Sequence, residues 1–192
     1  MKRFYYSSKI VAVFLFFTLT IFSCIPADIK QTTKTDFFDL KGFLDSQINL
    51  LEKKEITITK KTILKKQQNQ QVLQKINWKD EFAFFYSSDI NTPQLRDRYT
   101  IKKTEQKWIF KTDEEKLMVK EMQIVFDEKN INTFQNVKEI LIIQKDKNNL
   151  YENNRTLNIK VKDGLLKTYS IKGFEDVILN ERQEFLVEGI VK

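Results

Sequence analysis

The chain has 192 residues and a net charge of +7, with 33 lysines and arginines against 26 acidic residues, one cysteine and no histidine. Lacking histidine, it is unable to perform Ser-His-Asp or Cys-His catalysis, to ligate zinc through imidazole or to attach a c-type haem. Its four glycines, at positions 42, 164, 173 and 189, lie too far apart to form a phosphate-cradling loop.

At the N-terminus Lys2, Arg3 and Lys9 accompany an apolar run from Ile10 to Phe22, and Cys24 follows directly. A basic start, about a dozen apolar residues and a small residue before the cut are the layout of a secretory signal peptide. A permanent transmembrane helix needs roughly 20 apolar residues, and Thr18, Thr20 and Ser23 interrupt the second half of this run. An ordinary secretory signal cut elsewhere is the rival reading. Against it, the sole cysteine falls where lipid attachment requires one.

Ile21-Phe22-Ser23-Cys24 resembles the lipobox of bacterial lipoproteins. The resemblance implies a diacylglyceryl thioether on Cys24, acyl chains such as palmitate, and a mature chain beginning at Cys24. The expected division is a signal peptide over 1–23, a lipidated tether over 24–35 and a single α+β domain over 36–192. The expected location is the bacterial cell envelope, at the outer membrane. Removing 1–23 takes away three basic residues and no acidic ones, so +7 falls to +4. That charge is too small to argue for nucleic acid, and in strand candidates such as Leu157-Asn158-Ile159-Lys160-Val161-Lys162 the lysines alternate with apolar residues as on a solvated sheet face. No nucleic-acid partner is expected.

Phe37, Leu40, Leu44, Ile48 and Leu51 recur at spacings of three and four, widened by Phe43 and Leu50. The spacing predicts a helix from Asp36 to about Glu55, capped by Thr35 or Asp36. It either packs on the protein's own sheet or lies on a membrane, where Asp36, Asp39, Asp45 and Glu52 would be repelled by anionic headgroups. Glu55 to Leu64 and Val72 to Ile76 read as a hairpin around a turn at Gln67-Gln68-Asn69-Gln70-Gln71. Asn77 is a good N-cap for a second helix over Asn77–Ser87 with Trp78, Phe82 and Phe85 on one face, either as core or as a pocket lining. Pro93 disfavours helix at Thr92.

The remainder alternates apolar and polar residues in nine short strand candidates: 98–103, 107–111, 116–126, 137–144, 150–153, 156–162, 166–172, 175–179 and 184–191. Lys162-Asp163-Gly164 is the clearest turn. The expected architecture is α+β, with one or two helices on a curled antiparallel meander that forms a half-barrel or barrel-like sheet.

The run Ile76-Asn77-Trp78-Lys79-Asp80-Glu81-Phe82, then Phe85 and the stretch from Ser88 to Tyr99, resembles a group of small uncharacterised lipoproteins of Bacteroidota-type bacteria. The Asp36-Phe37-Phe38-Asp39-Leu40-Lys41-Gly42-Phe43 helix, Asn149-Leu150-Tyr151 and Tyr169-Ser170-Ile171-Lys172-Gly173 extend the resemblance over nearly all of the mature chain. It brings no activity, ligand or catalytic residue with it.

The most specific local feature is the loop holding Asp89, Asn91, Arg96, Asp97 and Arg98 around Pro93. As a contact site, Arg96 or Arg98 offers a planar donor fork to a carboxylate, phosphate or sugar, oriented by Asp97. As structure, Asp89 and Asn91 turn the chain while Arg96 and Asp97 pin the loop by a salt bridge. Asp113-Glu114-Glu115 lacks the spacing of a calcium loop and reads as a solvated turn. The chain is therefore expected to be noncatalytic, without metal or cofactor. It is expected to hold to the membrane through its lipid and to bind a lipidic ligand or an envelope protein. A scaffold for an envelope complex is the alternative, and a carbohydrate-active enzyme with paired carboxylates is the third reading.

Overall fold

The computed structural model describes residues 37–54, 56–127 and 134–192. The chain divides into two units, Met1–Lys34 and Thr35–Lys192, and the described residues belong to the second. The signal segment, Cys24 and the tether lie outside them.

Nine strands, β1 (Ile58–Leu64), β2 (Gln67–Leu73), β3 (Thr100–Lys103), β4 (Lys107–Lys111), β5 (Val119–Phe126), β6 (Val137–Lys147), β7 (Tyr151–Lys162), β8 (Leu165–Val177) and β9 (Gln183–Val191), form one sheet in the order β2-β1-β9-β8-β7-β6-β5-β4-β3. All neighbours are antiparallel. From β3 to β9 the chain meanders, and the β1–β2 hairpin joins at β9. The class is α+β, as the alternation predicts, and the sheet stays open with β2 and β3 as its edges. Each neighbouring pair is consecutive in the chain except β9 and β1, which are brought together from opposite ends of the domain.

Because side chains alternate between faces, each central strand buries every second residue. Met122, Ile142, Leu157, Ile171 and Val187 lie in one cross-strand row. Ile124, Ile140, Ile159, Tyr169 and Gly189 form the next, on the same face. Helix α1 (Leu40–Glu52) covers this face with Leu40, Phe43, Leu44, Ile48 and Leu51. Fully burying each such side chain stabilises the fold by roughly 1.5–3 kcal/mol. Asp39, not Thr35 or Asp36, caps α1 by accepting from the Gly42 N–H at 2.9 Å. Phe37 and Phe38 are buried ahead of the cap, and Leu50 turns out to be exposed.

The helical periodicity left Gln47 unassigned, yet it is buried and ties α1 to the β7–β8 turn. Its amide donates to the Gly164 carbonyl at 3.0 Å and accepts from the Leu166 N–H at 2.7 Å. That turn has Asp163 and Gly164 at φ 54° and 70°, as the Asp-Gly pair predicts.

Three further expectations are corrected. The glutamine tract is strand β2, and the turn is Lys65-Lys66, both at positive φ (49° and 65°). A two-residue turn of that hand matches strand twist and fixes a seven-pair register against β1, which offsets its unfavourable residues. The second helix is two short pieces, α2 (Trp78–Glu81) and α3 (Ala83–Tyr86), parted at Phe82 where φ and ψ are −98° and 15°. Finally, β7 and β8 each run unbroken across positions read as gaps. At Gly173 a Cβ would come within 2.2 Å of the Asn154 carbonyl oxygen, so the glycine permits a close strand approach instead of ending β8.

Candidate functional site

The loop after α3 is fixed mainly by its own chemistry. The Asp89 carboxylate accepts from the Asn91 N–H at 3.1 Å, closing a local turn, and lies 3.6 Å from the Lys41 ammonium of α1. Pro93–Leu95 forms a 3-10 turn, after which Arg96 is half-buried and Asp97 exposed. The ion pair fastening this end of the loop comes from Arg98, not from Arg96 or Asp97. Its guanidinium grips Glu114 with two nitrogens, Nε to Oε1 at 3.0 Å and Nη2 to Oε2. The expected five-residue cluster is thus divided, with Asp89 set beside Lys41 of α1, Asn91 closing the turn onto Asp89, and Asp97 and Arg98 lining an open groove of about 670 Å³ with Lys102, Lys111 and Glu121. The donor fork is already occupied by a carboxylate of the same chain.

The hydrogen bond from Arg98 holds the Glu114 carboxyl below its ordinary range, and the Arg98 guanidinium is raised in turn. A carboxylate with a depressed folded-state pKa gives stabilisation that is complete above its unfolded pKa and is lost as pH falls through the folded one. Both groups face solvent, so the contribution is small. Glu114→Gln is expected to lower the melting temperature slightly at neutral pH. The gap from wild type should close in strongly acidic buffer. A gap that widens on acidification contradicts the assignment.

Inside, Tyr169 and Lys60 both converge on Glu81 of α2. The Tyr169 hydroxyl donates to Glu81 Oε1, and Lys60 Nζ donates to Oε2 at 2.8 Å. Tyr169 is 1 % exposed and stacks edge-on against Phe82 at 5.4 Å. Burial, then the Glu81 hydrogen bond, push its phenol far up, so it stays protonated. A base or nucleophile needs the opposite shift. The trio therefore docks α2 onto the sheet. Likewise the Tyr99 phenol, pushed up to about 12 by burial, donates to the Val119 carbonyl at 2.7 Å. Trp78, Phe82 and Phe85 are buried core, while Phe84 is exposed beneath the Arg155 guanidinium at 4.9 Å.

The sheet face opposite α1 carries the feature that sequence reading missed. Ile63, Lys172, Phe174, Arg182 and Leu186, from β1, β8, β9 and the β8–β9 turn, line an open groove of about 830 Å³. The Arg182 guanidinium lies 3.4 Å over the Phe174 ring. A second groove, sharing Lys66, Arg182 and Glu184, continues it toward the turn. At this end Leu150 (63 % exposed), Ile178 (58 %) and Leu179 (98 %) stand in solvent, and the two turns are joined by an Ile178 N–H to Leu150 carbonyl bond of 2.9 Å. Leu179 also sits at φ 69°, where a bulky side chain is unfavourable. No pattern in sequence separated these residues from ordinary strand ends, because the grouping depends on which turns lie side by side.

Compared with protein-family models, with curated proteins and with solved structures, the chain matches none. Any functional reading therefore rests on the residues themselves. Among the described residues no group of three or more acidic, cysteine or histidine side chains is placed to hold a metal ion, and no helix is long and apolar enough to cross a membrane.

Proposed function

We propose that this chain is a membrane-anchored, noncatalytic envelope lipoprotein that engages an envelope protein through its outer surface. Cys24 is its lipid attachment point, and residues 24–35 are its tether. The observation carrying the surface reading is the filled interior. Leu40, Phe43, Leu44, Phe82, Phe85, Phe110, Ile142 and Leu157 are all inaccessible between helices and sheet. An enclosed lipid would have to displace them, at the energetic expense of undoing a packed core. The apolar cluster offered to a partner is at the far end of β6–β9, where Leu150, Ile178 and Leu179 stand beside a groove bordered by Lys66, Lys172 and Arg182.

The same groove supports a second reading, a lipidic ligand. An apolar floor of Ile63, Phe174 and Leu186, bordered by Lys66, Lys172 and Arg182 and by the carboxylates Glu184 and Glu188, suits an amphiphile whose head carries both an anionic and a cationic group. Cross-linking in intact cells through a photoreactive residue at Leu179, paired with mass spectrometry of lipids held by the purified chain, separates the two. The protein reading expects one stoichiometric adduct, lost in Ile178→Glu, and no stoichiometric lipid. Lipid at one equivalent without a protein adduct overturns it in favour of the amphiphile.

A further inference from the structure

The two edges of the sheet are built differently. Strand β3 is four residues long and carries Lys102 and Lys103, both exposed. Short length and lysine are standard protections against another strand adding at an edge. Strand β2 has neither. It is seven residues long, Gln67-Gln68-Asn69-Gln70-Gln71-Val72-Leu73, without charge or proline, exposed from Gln67 to Val72 and paired only with β1. Among the described residues its outer backbone groups therefore face no neighbouring strand.

The sequence of β2 is also symmetric. Gln67-Gln68-Asn69-Gln70-Gln71 reads the same in both directions about Asn69. In an antiparallel pair of identical strands, a two-fold axis at Asn69 places Asn69 opposite Asn69, Gln67 opposite Gln71 and Gln68 opposite Gln70. Every one of the five positions then faces an amide, which both donates and accepts. Lys66 and Lys65 fall opposite the partner's Val72 and Leu73, so no like charges meet. The register with β1 sets the faces: Asn69 pairs with Thr62 and Gln67 with Leu64, on the helix side, while Gln68 pairs with Ile63 and Gln70 with Lys61, on the open side. A two-fold axis perpendicular to the sheet preserves these faces, so each amide row continues into the second copy.

We infer that β2 is a self-association edge, on which a second copy of this chain adds antiparallel about Asn69 to make a closed, two-fold dimer. Isologous pairing uses up the unprotected edge of both copies and leaves only the short, lysine-bearing β3 edges outside, so the assembly stops at two. This does not rest on the partner proposed for the far end of the sheet.

The test uses the full chain in detergent micelles. Light scattering is expected to give twice the mass of one chain, with dissociation on dilution. Gln68→Lys with Gln70→Lys sets lysine against lysine twice across the axis and is expected to weaken the dimer roughly tenfold. Gln68→Lys with Gln70→Glu sets lysine against glutamate and is expected to restore it. Asn69→Cys places a thiol opposite itself, within disulfide reach for a directly opposed strand pair. It should cross-link on mild oxidation well beyond the background of the parent chain, and Lys102→Cys should not. A monomer at every concentration overturns the inference. So do equal behaviour of the two double variants and a cross-link between Asn69→Cys and Lys102→Cys chains, which would mean head-to-tail stacking.

Discussion

Gly189→Ala is expected to destabilise the domain by about 2–4 kcal/mol, the combined scale of an overpacked core and a lost buried hydrogen bond. Gly189 faces Tyr169 across the β8–β9 pair, and a Cβ there would lie 2.0–2.4 Å from the ring and hydroxyl of that tyrosine. The far end of a flexible side chain gives way cheaply, but this ring is held between β9 and Phe82, and its hydroxyl is bound to Glu81. Moving it also loosens Glu81 from Lys60, so the cost spreads to the docking of α2. Tyr169→Ala alone should cost about 3–5 kcal/mol, as for other large buried aromatics. The informative measurement is the double variant. With the ring gone, alanine at 189 has room, and the strand gains the roughly 0.5–1 kcal/mol by which glycine weakens regular structure. The sign of the substitution at 189 is thus expected to reverse between backgrounds, as read by urea unfolding. Equal destabilisation in both would show that the glycine serves the backbone and not the ring.

The fold was legible wherever one short-range rule governed it. Alternation in residues 137–144 and 156–162 gave strands, and the three-and-four spacing from Leu40 to Leu51 gave the helix that covers them. The Asp163-Gly164 pair gave the turn. What stayed illegible depends on partners distant in sequence. Lys65 and Lys66 form a left-handed turn because the register of β1 against β2 demands it, so the glutamines that looked like a loop became strand. Gln47 is polar on an otherwise apolar helical face and finds its two backbone partners 117 and 119 residues away. The candidate loop was read with the right residue types and the wrong pairing. Arg98 binds Glu114, which had looked like part of a solvated acidic turn, because the β3–β4 hairpin brings that turn beside the loop. The groove at the far end was invisible for the same reason, being assembled from the β1–β2 hairpin, β8, β9 and the β8–β9 turn.

On the proposed anchoring, Cys24→Ser is expected to abolish acylation completely, since the chain has no other thiol to receive the lipid. Cleavage should fail with it, because a peptidase that acts on the lipid-modified cysteine would find no substrate. The variant should retain residues 1–23 and with them the apolar run from Ile10 to Phe22. Fractionation alone is therefore a poor readout, since an uncleaved apolar segment also keeps a protein at the membrane. Two measurements decide. Metabolic labelling with a palmitate analogue should mark wild type and leave the serine variant blank. Mass spectrometry should find an acylated Cys24 as the first residue of wild type and an intact leader in the variant. One acyl chain gives only marginal membrane binding, so firm retention of wild type in the detergent phase further requires two or three. A wild-type chain that carries no acyl label and begins at a residue other than Cys24 would refute the anchor. The surface proposed for a partner would then have to act without being tethered to the membrane.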